Sequence, residues 1–365
     1  QSSARKNLLE NFKNFLKKEN INYNEEPKIF STPNRLVLHL KKIKSEIYQK
    51  SEEIRGPNIK APDKAIEGFL KSNSANKKDI YKKNTDKGEF FFYKKPSRKI
   101  KLEDILRTNI PKILENLSWK KSMKWGEHDL YWGRPLKSIF AIFDNKPLNF
   151  EFYHLSSSNS TYLDKDFEEK KKIFKSISSY FNYFKKKNII INNDLRKKYI
   201  KKKLIDLSNK KNLQININEN LLNEVTDIVE KPKVILCTFD KKYLSIPKEI
   251  ITITMQHNQK YFPTFDKKES LTNSFFIVAD SLDPKGFVKI GNEKVVDARL
   301  SDAEFFWNKN KSENLVKQIS KLKNINYFKG LGSYYDKVQR VRKLSSLISD
   351  ELLISKEKIE IASSI

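Results

Sequence analysis

The side chains best suited to chemistry are few in this chain, and they are scattered. Its four histidines stand at 39, 128, 154 and 257. His128-Asp129 is an HD dipeptide, but a metal-dependent hydrolase built on such a pair needs further His and Asp ligands. With the histidines so widely spread, no metal site is expected. Lys329-Gly330-Leu331-Gly332 contains a G-x-G string without a phosphate-loop context, and it reads better as a turn before a helix. No Ser-His-Asp arrangement, P-loop or dinucleotide fingerprint is present. Nucleotide hydrolysis and acyl transfer therefore have no credible centre here, and function is expected to rest on binding.

Charge says what kind of binding. Lys and Arg number 73 against 45 Asp and Glu, a formal net charge of +28. That favours a polyanionic partner, nucleic acid first. The chain is also rich in Lys, Asn and Ile with only 9 Gly, as AT-rich genomes produce, so much of the Lys reads as solvated surface. Cys237 is the sole cysteine, which excludes an intrachain disulfide and a cysteine-rich metal site and fits a reducing cytoplasm. The first residues lack the apolar run of a signal peptide. No stretch approaches the ~18 apolar residues of a membrane span, so no membrane partner is expected. At 365 residues the chain has room for two or three domains. It lacks an initiator Met and stops inside helical-looking sequence, and is read as a fragment.

The elements follow from periodicity. Residues 5–19 give an amphipathic helix with Leu8, Phe12 and Leu16 (or Phe15) inward. Arg35 to Leu40 alternates towards a strand after a Thr32-Pro33-Asn34 turn, with His39 on its polar face. Arg55-Gly56-Pro57 reads as a turn. Asp63 is expected to cap a helix over 64–72 with Ala65, Phe69 and Leu70 inward. Asp86-Lys87-Gly88 turns a hairpin into an aromatic strand. Residues 102–117 read as a helix that Pro111 kinks or breaks. Phe140 to Phe143 reads as a buried strand, followed by a tight turn at 144–146. Two weakly amphipathic helices are expected near 168–187 and 194–211, with their Lys runs solvated. Next come a helix ending before Pro232, a strand over 234–239, a helix from Pro247 to about Met255 and a buried strand over 274–280. The last long helix is expected to begin after Gly291, with Asn292 as N-cap and Glu293 in the first turn. Val296, Leu300, Ala303 and Trp307 then share one face. Arg299 and Asp302 share another, either as an ion pair or as a guanidinium aimed at a phosphate or partner carboxylate. Phe305-Phe306-Trp307 reads as core or interface ahead of a base-stacking surface. Helix and strand mix without a regular βαβ repeat, so the fold class is α+β.

Several stretches resemble one family. GNEKVVDARLSDAEFF (291–306) is similar to the GNERVLRARLSDAEFF-type segment of the beta subunit of bacterial heterotetrameric glycyl-tRNA synthetase, a class II aminoacyl-tRNA synthetase. FSTPNRLVLHL (30–40) resembles its TPRRLAV-type strand, with Arg35 at the second arginine and Asn34 replacing the first. RGPNIKAPDKAIEGFLKS (55–72) resembles its RGP–KAA–A–GF segment. KSMKWGEHDLYWGRPLKSIFAIFD (121–144) resembles its K–MRWG–F–RP–W–L segment, with Lys124 replacing arginine. Residues 221–266 resemble its EVT–VE–P and LP–E–TM–QYF run, and KGLGSYYDKVQRV (329–341) its KLGS–DKV–R segment. The matches keep the family's order. A Gly-His-Arg-Phe element expected near Phe167 is absent, and TYLDKDF stands there instead.

The resemblance implies a multidomain α+β chain of mixed helix and strand modules, followed by the start of an all-helical HD-like domain. Expected divisions are an N-terminal α+β module over 1–155, a Lys-rich helical insert over 156–220, an α+β module over 221–310 and the HD-like start over 311–365. A C-terminal anticodon-binding domain would lie beyond. The front portion is similar in kind to modules of the phenylalanyl-tRNA synthetase beta subunit. The implied function is to bind and position tRNA(Gly) so that the alpha subunit can transfer glycine from glycyl-adenylate to the tRNA 3′ end. The implied partners are the alpha subunit, two of each in a heterotetramer, and tRNA(Gly), with no DNA. ATP and Mg would act through the alpha subunit, with no cofactor on this chain. The alternatives are a structural subunit that only scaffolds the alpha dimer, and an RNA-acting HD-type phosphohydrolase. No catalytic residue is expected. The candidate RNA contacts are Arg35, Arg55, Lys60, Lys124, Trp125, Arg134, Lys260, Tyr261 and Arg299.

Overall fold

A computed structural model describes residues 2–49, 51–86, 88–163, 171–314 and 318–364. The missing Gly-His-Arg-Phe element near Phe167 and the Lys87 turn position therefore lie outside the described residues. The architecture is α+β. Contacts divide the chain into two compact units, one of residues 1–196 with 227–230, the other of residues 197–226 with 231–365.

The first unit opens with α1 (Ser2–Lys18), which buries Ala4, Leu8, Phe12, Phe15 and Leu16 along one face. Both Phe15 and Leu16 thus point inward. Then follow β1 (Lys28–Thr32) and β2 (Arg35–His39), a hairpin in register from Lys28↔His39 to Thr32↔Arg35. His39 is half-buried, with its ring 5.3 Å from Phe181, rather than on a polar face. Burial lowers its pKa. β3 (Glu46–Gln49) and β4 (Glu52–Asn58) come next, then α2 (Asp63–Asn73), β5 (Ile80–Thr85), β6 (Gly88–Lys95) and β7 (Arg98–Lys101). β3 pairs with β7, and β6 lies between β4 and β5.

The stretch through β4 and α2 departs from the sequence expectation in three respects. Arg55-Gly56-Pro57 is no turn but part of β4, whose pairing with β6 shifts between Arg55 and Asn58. Such a bulge absorbs a proline that cannot donate to the ladder. Gly56 is required there, because a Cβ would sit 2.8 Å from the Phe69 ring. Asp63 is the first residue of α2, and Pro62 precedes it without a side-chain cap. Leu70 is buried and Phe69 half-buried, whereas Ala65 is exposed.

α3 (Leu102–Glu115) continues through Pro111 without breaking. Its Leu102, Leu106 and Ile113 join α1, Leu130, Trp132 and Phe152 in one core cluster. Each such large apolar side chain contributes about 1.5–3 kcal/mol when fully buried. Six short strands follow: β8 (Ile139–Phe140), β9 (Ile142–Phe143), β10 (Lys146–Pro147), β11 (Glu151–Phe152), β12 (Leu155–Ser158) and β13 (Ser160–Tyr162). Phe140 to Phe143 is therefore two half-buried strands rather than one buried strand. β14 (Lys171–Ile173) pairs with β13. α4 (Ile177–Lys186) is capped by Ser176, whose side chain accepts from Ser179 N–H. It closes a hydrophobic cluster of Phe174, Tyr180, Phe184, Ile189 and Ile191.

α5 (Asn193–Lys210) and α6 (Glu219–Ile228) each contribute to both units. In the second unit Glu219 accepts from Lys197 at 2.8 Å and Lys201 at 2.6 Å. Those two hydrogen bonds hold its carboxyl down at about 2, against an ordinary 4.5. A depressed carboxylate adds stability above its ordinary value and loses it as pH falls towards the folded value. The melting temperature should therefore drop between pH 4.5 and about 2, and Glu219→Gln should flatten that limb. Identical acid limbs in thermal melts of the two proteins would rule the linkage out.

An antiparallel sheet orders β15 (Gln214–Ile215), β17 (Phe262–Phe265), β18 (Leu271–Ala279) and β16 (Lys233–Thr238), with β15 and β16 at its edges. α7 (Lys248–Ile253) starts after Pro247 and runs into a π-helical turn over Thr254–Gln259. α8 (Phe287–Ser312) lies on the sheet through Val296 and Leu300. It begins before the expected start. Gly291 is inside it, and Asp283 caps it by accepting from the N–H groups of Val288 at 3.0 Å and Lys289 at 2.9 Å. Asn292 is consequently an interior residue with other bonds. The chain continues through the hairpin β19 (Asn326–Phe328) and β20 (Gly332–Ser333), then α9 (Tyr334–Glu351) and α10 (Lys356–Ser364). Gly330 and Gly332 both adopt positive φ in that hairpin, so the G-x-G string is a turn before α9. Among the described residues no helix is long and apolar enough to cross a membrane.

Cys237 is buried in β16, and burial pushes its thiol up to about 12. Thiolate is the reactive form. At pH 8 a thiol reagent should label this protein only as fast as the sheet opens, and urea should release full reactivity. Rapid labelling of the native protein would contradict that.

Candidate nucleic-acid interface

Unit one carries two of the candidate contacts, Lys124 and Trp125, on a single loop, with a third, Arg134, two residues after it. Met123 and Trp132 form an isolated antiparallel bridge, N–H to carbonyl at 2.9 and 3.2 Å, that closes residues 123–132. Trp132 is buried and packs its ring 4.8 Å from Trp119 and 6.1 Å from Phe152. Gly133 permits this, because a Cβ there would lie 2.7 Å from Trp119. Tryptophan packing thus pins the loop; Met123, Lys124 and Tyr131 within it are exposed, as is Arg134 two residues beyond it. Lys124 Nζ lies 2.9 Å from Asp129 and 5.1 Å from the Tyr131 ring centre. The hydrogen bond with Asp129 raises the lysine's pKa and lowers the aspartate's.

Trp125 is half-buried against the core cluster. Its ring meets His154 edge-on at 5.7 Å, and His128 stacks on His154 at 3.6 Å. Burial, then the neighbouring His128, lowers the His154 pKa. His128 is therefore an aromatic neighbour of Trp125 and His154. Among the described residues no group of three or more His, Cys, Asp or Glu could hold a metal ion. This surface offers cations and ring faces, which is the equipment for holding a phosphate backbone and unpaired bases.

The other candidates divide by exposure. Arg55 and Lys60 are both exposed at or just after β4, with Lys60 N–H donating to Asn58 Oδ1 at 2.9 Å. Arg35 is turned inward. Its Nη1 donates to Glu230 Oε2 at 2.7 Å, its Nη2 to the Leu163 carbonyl, and its Cζ lies 4.3 Å over the Phe184 ring. Beside it, burial pushes the Tyr180 hydroxyl up to about 12. Arg5 makes the companion pair, to Asp227 Oδ1 at 2.8 Å.

In the second unit Lys260 takes a left-handed φ of 62° at the end of the π turn and pairs with Glu224 at 2.5 Å. Tyr261 is buried, stacks on Phe275 at 5.2 Å and donates its hydroxyl to Asn292 Oδ1. Asn292 Nδ2 donates in turn to the Val288 carbonyl at 2.6 Å. Glu293 Oε1 accepts from the N–H of Thr238 at 2.8 Å and from its hydroxyl at 3.1 Å. Asn292 ties α8 to Tyr261 and Glu293 ties it to the edge strand β16, where the sequence pattern suggests a helix start. Their signal was present: Asn292 and Glu293 stand four and three residues before Val296, on its side of the helix. Arg299 is exposed on α8. Phe305 and Phe306 are 61% and 58% exposed and lie at the surface rather than in a core, while Trp307 is half-buried.

The profile of the glycyl-tRNA synthetase beta subunit family matches residues 1–365. The chain belongs to that family. It is 35% identical to the glycine–tRNA ligase beta subunit of Rickettsia typhi over 328 residues, 88% of this chain and 49% of that relative. It is 34% identical to the glycine–tRNA ligase beta subunit of Dictyoglomus thermophilum over 360 residues, 97% of this chain and 52% of that relative. The chain thus spans about half the length of these glycyl-tRNA synthetase beta subunits.

Proposed function

We propose that this chain is the tRNA-handling part of a glycine–tRNA ligase beta subunit, acting in the cytoplasm. It binds and positions tRNA(Gly), and a separate alpha subunit, using ATP and Mg, forms glycyl-adenylate and transfers glycine to the tRNA 3′ end. The family match across the whole chain is the observation that carries this reading. The net charge of +28 agrees with it, since a phosphate backbone needs many cations spread over a surface. In unit one, Lys124 and Trp125 supply charge and a ring on one pinned loop, with Arg134 exposed just beyond it and Arg55 and Lys60 exposed at or just after β4. Of the second unit's candidate cations, Arg299 is exposed and Lys260 is half-buried beside Glu224. Arg35 and Tyr261 support the site by holding the fold that displays the others. Residues 311–365 form the entry to a helical HD-like domain.

A second reading draws on Phe305 and Phe306. Rings this exposed on a long helix suit a protein interface, and the chain would then scaffold the alpha subunits without touching tRNA. One experiment separates the two. Glycylation of tRNA(Gly) by the alpha subunit is measured with the beta subunit added or withheld, beside tRNA binding by this chain alone. The tRNA-handling reading expects charging to need beta and the chain to bind tRNA with a steep salt dependence. Charging that needs beta, with no tRNA binding by this chain, selects the scaffold. Charging without beta overturns both.

A further inference from the structure

We propose that the open face of the β4–β6–β5 sheet takes an unpaired stretch of RNA, its bases stacking on Phe90 and Tyr81 and its phosphates drawn by Arg55, Lys83 and Lys94. The inference rests on the tRNA-handling reading and gives the candidate contact Arg55 a stacking platform and a ligand form. The pairing register defines the face. Arg55 and Tyr81 both stand opposite Phe92, Lys83 opposite Phe90, and Glu53 opposite Lys94. Residues paired directly across strands share one face. Gly56, the neighbour of Arg55, looks the other way, into Phe69 of α2. The helix therefore covers the opposite face and leaves this one uncovered.

Exposure agrees. Glu53, Arg55, Tyr81, Lys83 and Lys94 are all exposed, and Phe90 is half-buried. The cations already lie over the rings. Arg55 Cζ is 3.6 Å from the Phe90 ring centre, and Lys83 Nζ is 5.2 Å from that of Phe92. Tyr81 stacks over Phe92 at 6.3 Å. Glu53 accepts from the Tyr81 hydroxyl and from Lys83 at 2.6 Å, which holds both in place in the free protein. A phosphate competes with Glu53 for Lys83, and a base stacks on the Phe90–Arg55 pair or on the Tyr81 ring. Ring planes interleaved with cations match a polymer that carries one plane and one negative charge per residue. An acidic peptide would use the cations and leave the rings idle.

The test measures binding of a fluorescent, unstructured 12-nucleotide RNA by anisotropy, against an RNA duplex of equal charge, for the wild-type chain and for Tyr81→Leu, Phe90→Leu and Arg55→Gln. Wild type should prefer the single strand, and each ring variant should weaken that binding about tenfold while leaving duplex binding alone. Leucine keeps the apolar contact and removes only the ring plane. If Phe90→Leu melts at lower temperature than wild type, Tyr81→Leu at its exposed position decides. Three results overturn the proposal: ring variants that bind like wild type, a loss confined to Arg55→Gln, or displacement of the RNA by polyglutamate as readily as by unlabelled RNA. If the ring variants change nothing while charging still needs beta, the stacking platform fails alone. If the wild-type chain binds no RNA of either form, the tRNA-handling reading fails with it.

Discussion

Glu230→Ala should destabilise the first unit by about 3–5 kcal/mol, because it leaves the Arg35 guanidinium inside the protein without its counter-charge. The side chains of Arg35 and Glu230 are only 10% and 2% exposed, and they meet at 2.7 Å. An exposed pair would be worth no more than about 1 kcal/mol. Here water cannot replace the lost carboxylate. Arg35 also donates to the Leu163 carbonyl and lies over the Phe184 ring. Arg35→Lys should therefore fail to rescue, since an ammonium cannot reach a carboxylate and a carbonyl at once from a planar fork. The double variant Arg35→Met, Glu230→Leu should be far less damaging than either single truncation, because no charge is stranded. Urea titration followed by tryptophan fluorescence reads this unit well, since Trp119, Trp125 and Trp132 lie in it and only Trp307 in the other. A loss under about 1 kcal/mol for Glu230→Ala would show that the pair behaves as a surface contact.

The second large effect concerns tRNA affinity. Reversing Arg55, Lys60, Lys124 and Arg134 together to Glu should lower the slope of log affinity against log salt by about one for each phosphate contact removed. A change of several units in slope corresponds to orders of magnitude in affinity at low salt. The exposure of these four cations is the ground for choosing them. Arg35 is the internal control. Arg35→Gln should lower stability and leave the salt slope where it was, since its guanidinium is already spent on Glu230 and Leu163. Filter binding of tRNA across a salt series measures both. An unchanged slope in the quadruple variant would remove these residues from the interface.

What could be read in the sequence was whatever has a short period. Leu8, Phe12 and Leu16 define α1, and Val296 and Leu300 define the inner face of α8, because burial repeats every turn. The hairpin of β5 and β6 came from a turn signal beside an aromatic run. Helix starts were harder. Gly291 resembles a breaker, yet the packing of α8 on the sheet tolerates it, and the cap is supplied by Asp283. The use of Arg35 was not legible at all. Its partner is 195 residues away, and nothing in the local pattern announces a carboxylate arriving from just beyond α6. Tyr261 illustrates the same limit. A tyrosine after a lysine reads as a surface contact, until Asn292 and Phe275 enclose it. Exposed cations such as Lys124 and Arg134 follow from residue type, but only the fold shows that Lys124 sits on a tryptophan-pinned loop.

Residues 227–230 belong to the first unit while the chain on either side of them belongs to the second. On the ribosome this sets an order of events. The first 196 residues emerge with Arg5 and Arg35 in place, but Asp227 and Glu230 do not yet exist. The nascent chain must wait with its arginines unpaired until about 35 further residues and the length of the exit tunnel have been synthesised. No single cut can free an intact first unit either, since any fragment ending near residue 196 lacks both carboxylates. Partial proteolysis should accordingly yield nicked but associated protein in preference to a separable N-terminal piece, and expression of the first 196 residues alone should give an insoluble or chaperone-bound product.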